Sequence, residues 1–300
     1  MLLIFGLGYT ASRIAAAWPG TVVGTTRDGR DGTLRFDDEA AVRAALATAS
    51  HVLSSVPPEG ETDPVLARYG DVLPSPQRQL GSLSTGTAPT ARDPSLRWGD
   101  EKGSWLGYLS STGVYGGTQG AWVDEGAPTG GGRRSARAAA DAAWLARGAR
   151  VFRLPGIYGP GRSPLERVRE GRAHRVGLPD QVFSRIHVDD IVAGVLAART
   201  APAGAYNLAD DYPCAQDDVV DYAAALLGLP APPLIDLASL SPMARGFYAE
   251  NRRVANGKAK RLLGWAPRYP DYRFGLRALS ATTSPMPVST APAAASGDQR

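Results

Sequence analysis

Residues 2–18 read LLIFGLGYTASRIAAAW, and the fold class follows from how this stretch is parsed. LLIF is a four-residue apolar run, short enough to be a strand buried on both faces. GLG offers a turn, and TASRIAAAW is an alanine-rich helix former with Thr10 placed to cap it. Strand, turn and helix in that order give G-x-G-x-x-A at Gly6, Gly8 and Ala11. Gly6 suits a tight turn, Gly8 lets a diphosphate approach the backbone, and Ala11 allows close helix–strand packing. The helix N-terminus adds N–H donors and the positive end of its dipole. The pattern predicts a dinucleotide site built from Gly6, Gly8, Thr10 and Ala11.

The next strand, TVVGTT at 21–26, ends at Arg27, 19 residues after Gly8. Folds specific for NAD place an acidic residue near here, on the ribose 2′-hydroxyl, whereas a cation accommodates a 2′-phosphate. NADP is therefore expected ahead of NAD. Asp37, after a third short strand LRF at 34–36, is open to two readings, a residue near the adenine or an ordinary turn aspartate.

The same rhythm continues outward. EAAVRAALATA (39–49) is helical, HVLSSV (51–56) and WLGYL (105–109) are apolar strands, a helix falls around 135–147, and ARVFRL (149–154) is another strand. Alternating strands and helices predict an α/β fold, a doubly wound, Rossmann-like parallel sheet with helices on both faces. Residues 1–153 are mainly the dinucleotide-binding portion. Residues 74–104, rich in Pro, Gly, Ser and Thr and without a period, read as a long loop insertion. Residues 154–279 complete the sheet and form a smaller C-terminal substrate-binding lobe, with a late helix at 217–228. Residues 280–300 read as a low-complexity, disordered tail.

Composition narrows the function. The chain is 43% hydrophobic and 21% charged, ordinary for a globular protein of 300 residues. It has no apolar run of spanning length, and MLLIFGLG lacks the basic n-region of a signal peptide. A cytoplasmic setting without a membrane partner is expected. One cysteine, Cys214, excludes an internal disulfide. The net charge of +4 is spread along the chain, with RVREGRAHR (167–175) its densest patch, and no aromatic–basic motif accompanies it. No nucleic-acid partner is expected, and a mild basic excess suits an anionic small molecule. His187 with Asp189 and Asp190 reads as the acidic first turn of a helix, and no metal site is expected.

Ligands of open parallel sheets sit at the carboxyl ends of the strands. LSSTGVYGG at 109–117 puts Ser110, Ser111 and Thr112 at such an end. With FGLGYTA, HVLSSVPP, WVDEGAP, FRLPGIYGPGR, FSRIHVDDIVAG and AYNLADD, it stands in the order found in extended short-chain dehydrogenase/reductases. The chain resembles that family, the NAD-dependent epimerases and dehydratases, over roughly 1–279. The resemblance implies a catalytic Ser or Thr three residues before the Val of V-Y-G, which is Ser111, with Thr112 beside it. It implies a substrate site in the C-terminal portion, where RLPGIYGPGR supplies Arg153, Tyr158 and Arg162 for an anionic ligand, a nucleotide sugar or another polar molecule. Homodimerisation through helices is likewise an expectation from resemblance.

The resemblance also implies a Y-x-x-x-K pair on the helix after the hydroxyl strand, and here the chain departs from it. Aligned through Asp141, the Tyr position falls on Arg133 and the Lys position on Arg137, and no tyrosine occurs between Tyr115 and Tyr158. Arginine stays protonated and cannot shuttle a proton, but it can stabilise an oxyanion or clamp a carboxylate or phosphate. A proton would then come from water or from Tyr158. Losing a positioned acid/base costs about 10²- to 10⁴-fold in rate. Two readings stay open: an oxidoreductase or epimerase-like enzyme using Ser111, Arg133 and Arg137, and a non-catalytic NADP-binding redox sensor or scaffold whose arginines are solvated.

Overall fold

The computed structural model describes residues 1–74, 105–131, 135–178 and 180–283. The expected insertion beyond residue 74, Arg133, and the tail beyond residue 283 lie outside the described residues. The strands are β1 (Leu2–Phe5), β2 (Val22–Thr26), β3 (Leu34–Arg35), β4 (His51–Ser54), β5 (Trp105–Ser111), β6 (Trp122–Val123), β7 (Arg150–Leu154), β8 (Gly156–Tyr158), β9 (Arg185–His187), β10 (Gly204–Asn207) and β11 (Arg253–Val254). The helices are α1 (Tyr9–Ala17), α2 (Glu39–Thr48), α3 (Pro64–Tyr69), α4 (Ser135–Ala146), α5 (Pro164–Arg169), α6 (Val188–Ala197), α7 (Gln216–Leu226), α8 (Pro242–Tyr248), α9 (Gly257–Leu263) and α10 (Tyr272–Thr283).

Seven strands form one parallel sheet in the order β10-β7-β5-β4-β1-β2-β3. This is the doubly wound arrangement that the sequence predicts. Alternation along β1 shows why both faces are covered. Leu2 and Ile4 join Ile14 of α1, Trp18 just after it, and Ile191 and Val195 of α6 on one face. Leu3 and Phe5 join Val42 of α2, Val65 and Tyr69 of α3 and Trp144 of α4 on the other. Successive strand side chains point to opposite faces, so a fully apolar strand needs helices on both. Chain order reverses between β1 and β4, and the carboxyl ends of those strands flank a crevice.

A second cluster lies outside the main sheet. Leu165 and Val168 of α5, Val219, Val220 and Ala223 of α7, and Leu276 and Leu279 of α10 pack around Tyr158. β8 pairs with β9, and β6 with β11, so the later chain returns to the carboxyl edge of the sheet. The side chain of Asp190 in α6 accepts from the Arg268 and Tyr269 N–H groups at 2.7 and 3.1 Å, tying the C-terminal segment to the sheet. Asp189 and Asp190 do occupy the first turn of α6, which His187 caps by accepting from Asp189 N. Burial pushes His187 down to about 4.

Two local expectations are corrected, and one segment proves more ordered than any sequence reading offered. Thr10 is not the cap of the first helix: Gly8 holds that position and α1 begins at Tyr9. The tail does not begin at 280, because α10 continues to Thr283, anchored by buried Leu276 and Leu279. The segment after 240 also contains α8 and α9; the Ser241–Pro242 start of α8, where Ser241 accepts from Ala244 N, is a local cap signal that the sequence reading passed over. Among the described residues, no helix is long and apolar enough to cross a membrane.

Candidate functional site

The glycine turn is built by conformation first. Gly6 has φ +80°, and a Cβ there would lie 3.0 Å from Val56 Cγ2, so only glycine fits without strain. Ser55 Oγ donates to the Gly6 carbonyl at 2.5 Å and the Leu7 N–H donates to the Thr25 carbonyl at 2.9 Å, pinning the turn between β4 and β2. Gly8 is different. Its φ is −92°, and a Cβ added there would meet nothing within 4 Å. Its smallness therefore serves the space above the turn rather than the turn itself. Ala11 is 1% exposed and packs into the sheet, while the first-turn N–H groups of α1, Tyr9 and Thr10 among them, have no intrahelical acceptors. The residues present fit a dinucleotide diphosphate.

β5 carries the hydroxyls to the carboxyl edge, and they divide by role. Ser110 is buried and donates to Asp141 Oδ2 at 2.6 Å. Ser111 accepts from Gly113 N at 3.1 Å, which caps the 3-10 turn Thr112–Tyr115 and leaves its own O–H as a donor. Ser111 and Thr112 both line a cavity of about 560 Å³ that runs from Gly8, Tyr9 and Thr10 into the C-terminal lobe. A volume of this order holds a small ligand.

Arg137 also lines this cavity, and its Nη1 donates to Tyr108 Oη at 3.2 Å. Burial pushes that phenol up to about 12, so it stays protonated. Arg162 lines the cavity as well, at its glycine-turn end: its guanidinium stands 5.8 Å from the Tyr9 ring, at the start of α1. Tyr9 itself had no signal in the sequence. Its hydroxyl donates to the Pro160 carbonyl at 3.0 Å, joining the glycine turn to the segment after β8. Arg27 is exposed just past β2, next to Asp28. Asp37 is exposed too, but both of its carboxylate oxygens accept from Arg35, at 3.0 and 2.8 Å, which favours the turn reading over the adenine one.

Two expected substrate residues are elsewhere. Arg153 is 3% exposed, and its Nη2 and Nε donate to the two oxygens of Asp141 at 2.8 and 3.1 Å. Its Nη1 donates to Tyr115 Oη at 3.0 Å, and Tyr115 in turn donates to Asn207 Oδ1 at 2.7 Å. Arg153 is thus consumed by a buried network joining β5, α4, β7 and β10, and does not line the cavity. Tyr158 is also absent from the lining. Its hydroxyl is buried against Gly275, where an added Cβ would lie within 2.2 Å of it. Desolvation raises its pKa strongly, which further removes it as a proton source.

The far end of the cavity holds residues that no motif announced, Arg252 and Glu250 before β11 and Phe247 of α8, together with Phe183, which opens FSRIHVDDIVAG before β9. Arg252 Nη1 donates to the Gly116 carbonyl, just after the hydroxyl turn, and to Glu250 Oε2 at 2.9 Å. Phe183 and Phe247 stack with centroids 4.4 Å apart.

No family model matches the chain. A functionally unknown conserved protein from Silicibacter pomeroyi is 39% identical, with a TM-score of 0.76, over 94% of this chain and 98% of that one. A human epimerase family protein, determined with NADPH, matches at 17% identity and a TM-score of 0.67 over 94% and 99% of the two chains. A dTDP-glucose 4,6-dehydratase from Bacillus anthracis, in complex with NAD, matches at 15% identity and a TM-score of 0.65 over 93% and 95%. The latter two share the fold. A 3-diazoavenalumate denitrifying reductase from a Streptomyces species is 33% identical over 141 residues, 42% of this chain and 45% of that relative. The match therefore spans less than half of the reductase's length.

Proposed function

We propose that this chain, which belongs to the same family as the Silicibacter pomeroyi protein, binds NADP and catalyses a redox reaction on a small anionic molecule. One observation carries the reading: the unobstructed approach above Gly8 opens into the same cavity as the Ser111 and Thr112 hydroxyls. The bound nicotinamide would supply or accept hydride. The chain's own residues bind and orient. The first turn of α1 holds the diphosphate, with Arg162 adding charge beside it, and Arg27 meets the 2′-phosphate. Arg137 holds ribose or phosphate by charge. Ser111 donates its free O–H to the reacting oxygen of the substrate, fixing it against the cofactor and stabilising charge that develops there.

Reductase or dehydrogenase chemistry is favoured over epimerisation, which needs a proton acceptor close to the reacting carbon. Tyr9 lines the cavity, but its hydroxyl is committed to Pro160. A proton is therefore taken from water at the open end of the cavity. The partial likeness to a reductase and the NADPH of the human structure support the same choice. Ser111→Ala is expected to lower turnover by about 10²- to 10³-fold while NADPH affinity stays within about twofold, since a hydrogen bond made only to substrate acts on the chemical step. Steady-state rates and a fluorescence titration on the same protein check this. An unchanged rate would remove Ser111 from the mechanism. Absence of turnover with every carbonyl or related acceptor, with NADPH binding intact, would favour the sensor or scaffold reading.

A further inference from the structure

Among the described residues, the substrate end of the cavity has few groups left to satisfy a sugar. Ser184 Oγ accepts from Val254 N at 2.9 Å. Arg185 spends Nη1 on the Phe183 and Cys214 carbonyls and Cys214 Sγ, and Nη2 on the Ala215 carbonyl and Gln216 Oε1. What else faces the space among the described residues is Val182, Phe183, Phe247 and Val254, together with the Arg252–Glu250 pair and Gln216, whose Oε1 already accepts from Arg185. Phe247 is 46% exposed although it stacks on Phe183, so an apolar wall stands open inside a polar-edged cavity. Arg252 is fixed through Nη1, while Nε and Nη2 have no partner among the described residues.

We propose that the substrate is a flat, apolar monoanion, an aryl or similarly conjugated carboxylate, rather than a nucleotide sugar. Its planar body lies along the Phe183–Phe247 wall, and its carboxylate is held by Arg252. Burying an apolar face on an aromatic wall needs no hydroxyl partners, whereas a sugar's hydroxyls placed along this wall would lose water without replacement. Glu250, ion-paired with Arg252, brings the net charge of the pair to zero, which disfavours a dianion such as a phosphate monoester more than a monoanion. The Nε and Nη2 edge of the guanidinium still matches a carboxylate in its two-oxygen geometry. Because Arg252 is anchored at Gly116, the anion is held near the hydroxyl turn, and the remainder of the ligand reaches toward α8.

This substrate class rests on the redox reading above, and calorimetry separates the two. Cinnamate, phenyl phosphate and UDP-glucose are titrated into the full chain with and without saturating NADPH, and NADPH binding is measured in the same preparation. Cinnamate is expected to bind at least about tenfold more tightly than either alternative, and Arg252→Gln or Phe247→Ala to weaken it by about tenfold or more without changing NADPH affinity. Phe247 is half exposed, so its truncation keeps the test independent of any loss of folding in the Arg252 variant. Tighter binding of UDP-glucose or phenyl phosphate, no cinnamate binding, or cinnamate binding indifferent to Phe247→Ala would overturn the proposal even if NADPH binds. Failure of NADPH alone, with cinnamate bound through Phe247, would overturn the cofactor reading and leave this one standing.

Discussion

Gly8→Leu is expected to lose NADPH binding by at least about 100-fold, roughly 2.7 kcal/mol, while the protein unfolds at nearly the wild-type denaturant concentration. The two halves of this result have separate causes. Gly8 has a φ of −92°, and its missing Cβ points into open space, so a Cβ there neither strains the turn nor strikes a neighbour. The space it would fill is the approach to the first turn of α1, which is where a diphosphate must come within hydrogen-bonding distance. Gly6→Ala makes the contrast, because φ +80° and Val56 Cγ2 at 3.0 Å put its effect on the turn and hence on stability. Equilibrium unfolding and an NADPH titration on each variant separate the roles. Unaltered NADPH affinity in Gly8→Leu would mean that no ligand approaches this turn.

Asp141→Ala is expected to destabilise the fold by about 3–5 kcal/mol, the cost of leaving one partner of a buried pair uncompensated. The Arg153 and Asp141 side chains are 4% and 1% exposed. Without the carboxylate, Arg153 keeps a charge that it cannot shed, and Ser110 loses its acceptor. Against a typical total of about 5–15 kcal/mol, this is enough to leave the variant marginal. Replacing both members by apolar residues, Asp141→Leu with Arg153→Met, is expected to recover much of the loss, since the desolvation cost of the pair vanishes with it. Urea unfolding of the single and double variants measures this. A loss under about 1 kcal/mol for Asp141→Ala would contradict the network as a structural hub.

The elements that the sequence made legible are those written in local signals. The turn at 6–11 depends on a positive φ, a missing Cβ and a helix start, all within six consecutive residues. The hydroxyls of β5 are legible for the same reason, because strand and 3-10 turn are adjacent in the chain. Arg153 and Tyr158 stand in one conspicuous stretch with Arg162, yet alternation and packing send them apart. Arg153 turns inward to a carboxylate on α4, Tyr158 into the lobe core, and only Arg162 reaches the cavity. No spacing rule reports a charge pair formed across two elements. The Phe247 and Arg252 end was equally silent, since SPMARGFYAENRRV (241–254) carries a helix cap but no functional motif and gains meaning only where β11 pairs with β6.

The most direct test of the cofactor site is a fluorescence titration of the purified full chain with NADPH and, separately, with NADH at one fixed salt concentration. Micromolar binding of NADPH, with NADH weaker by about tenfold or more, is the expected result, and Arg27→Ala should narrow that gap from the NADPH side. No binding of either nucleotide would contradict the site. The glycine turn and the Ser111 hydroxyl would then belong to the architecture of the fold and to no reaction.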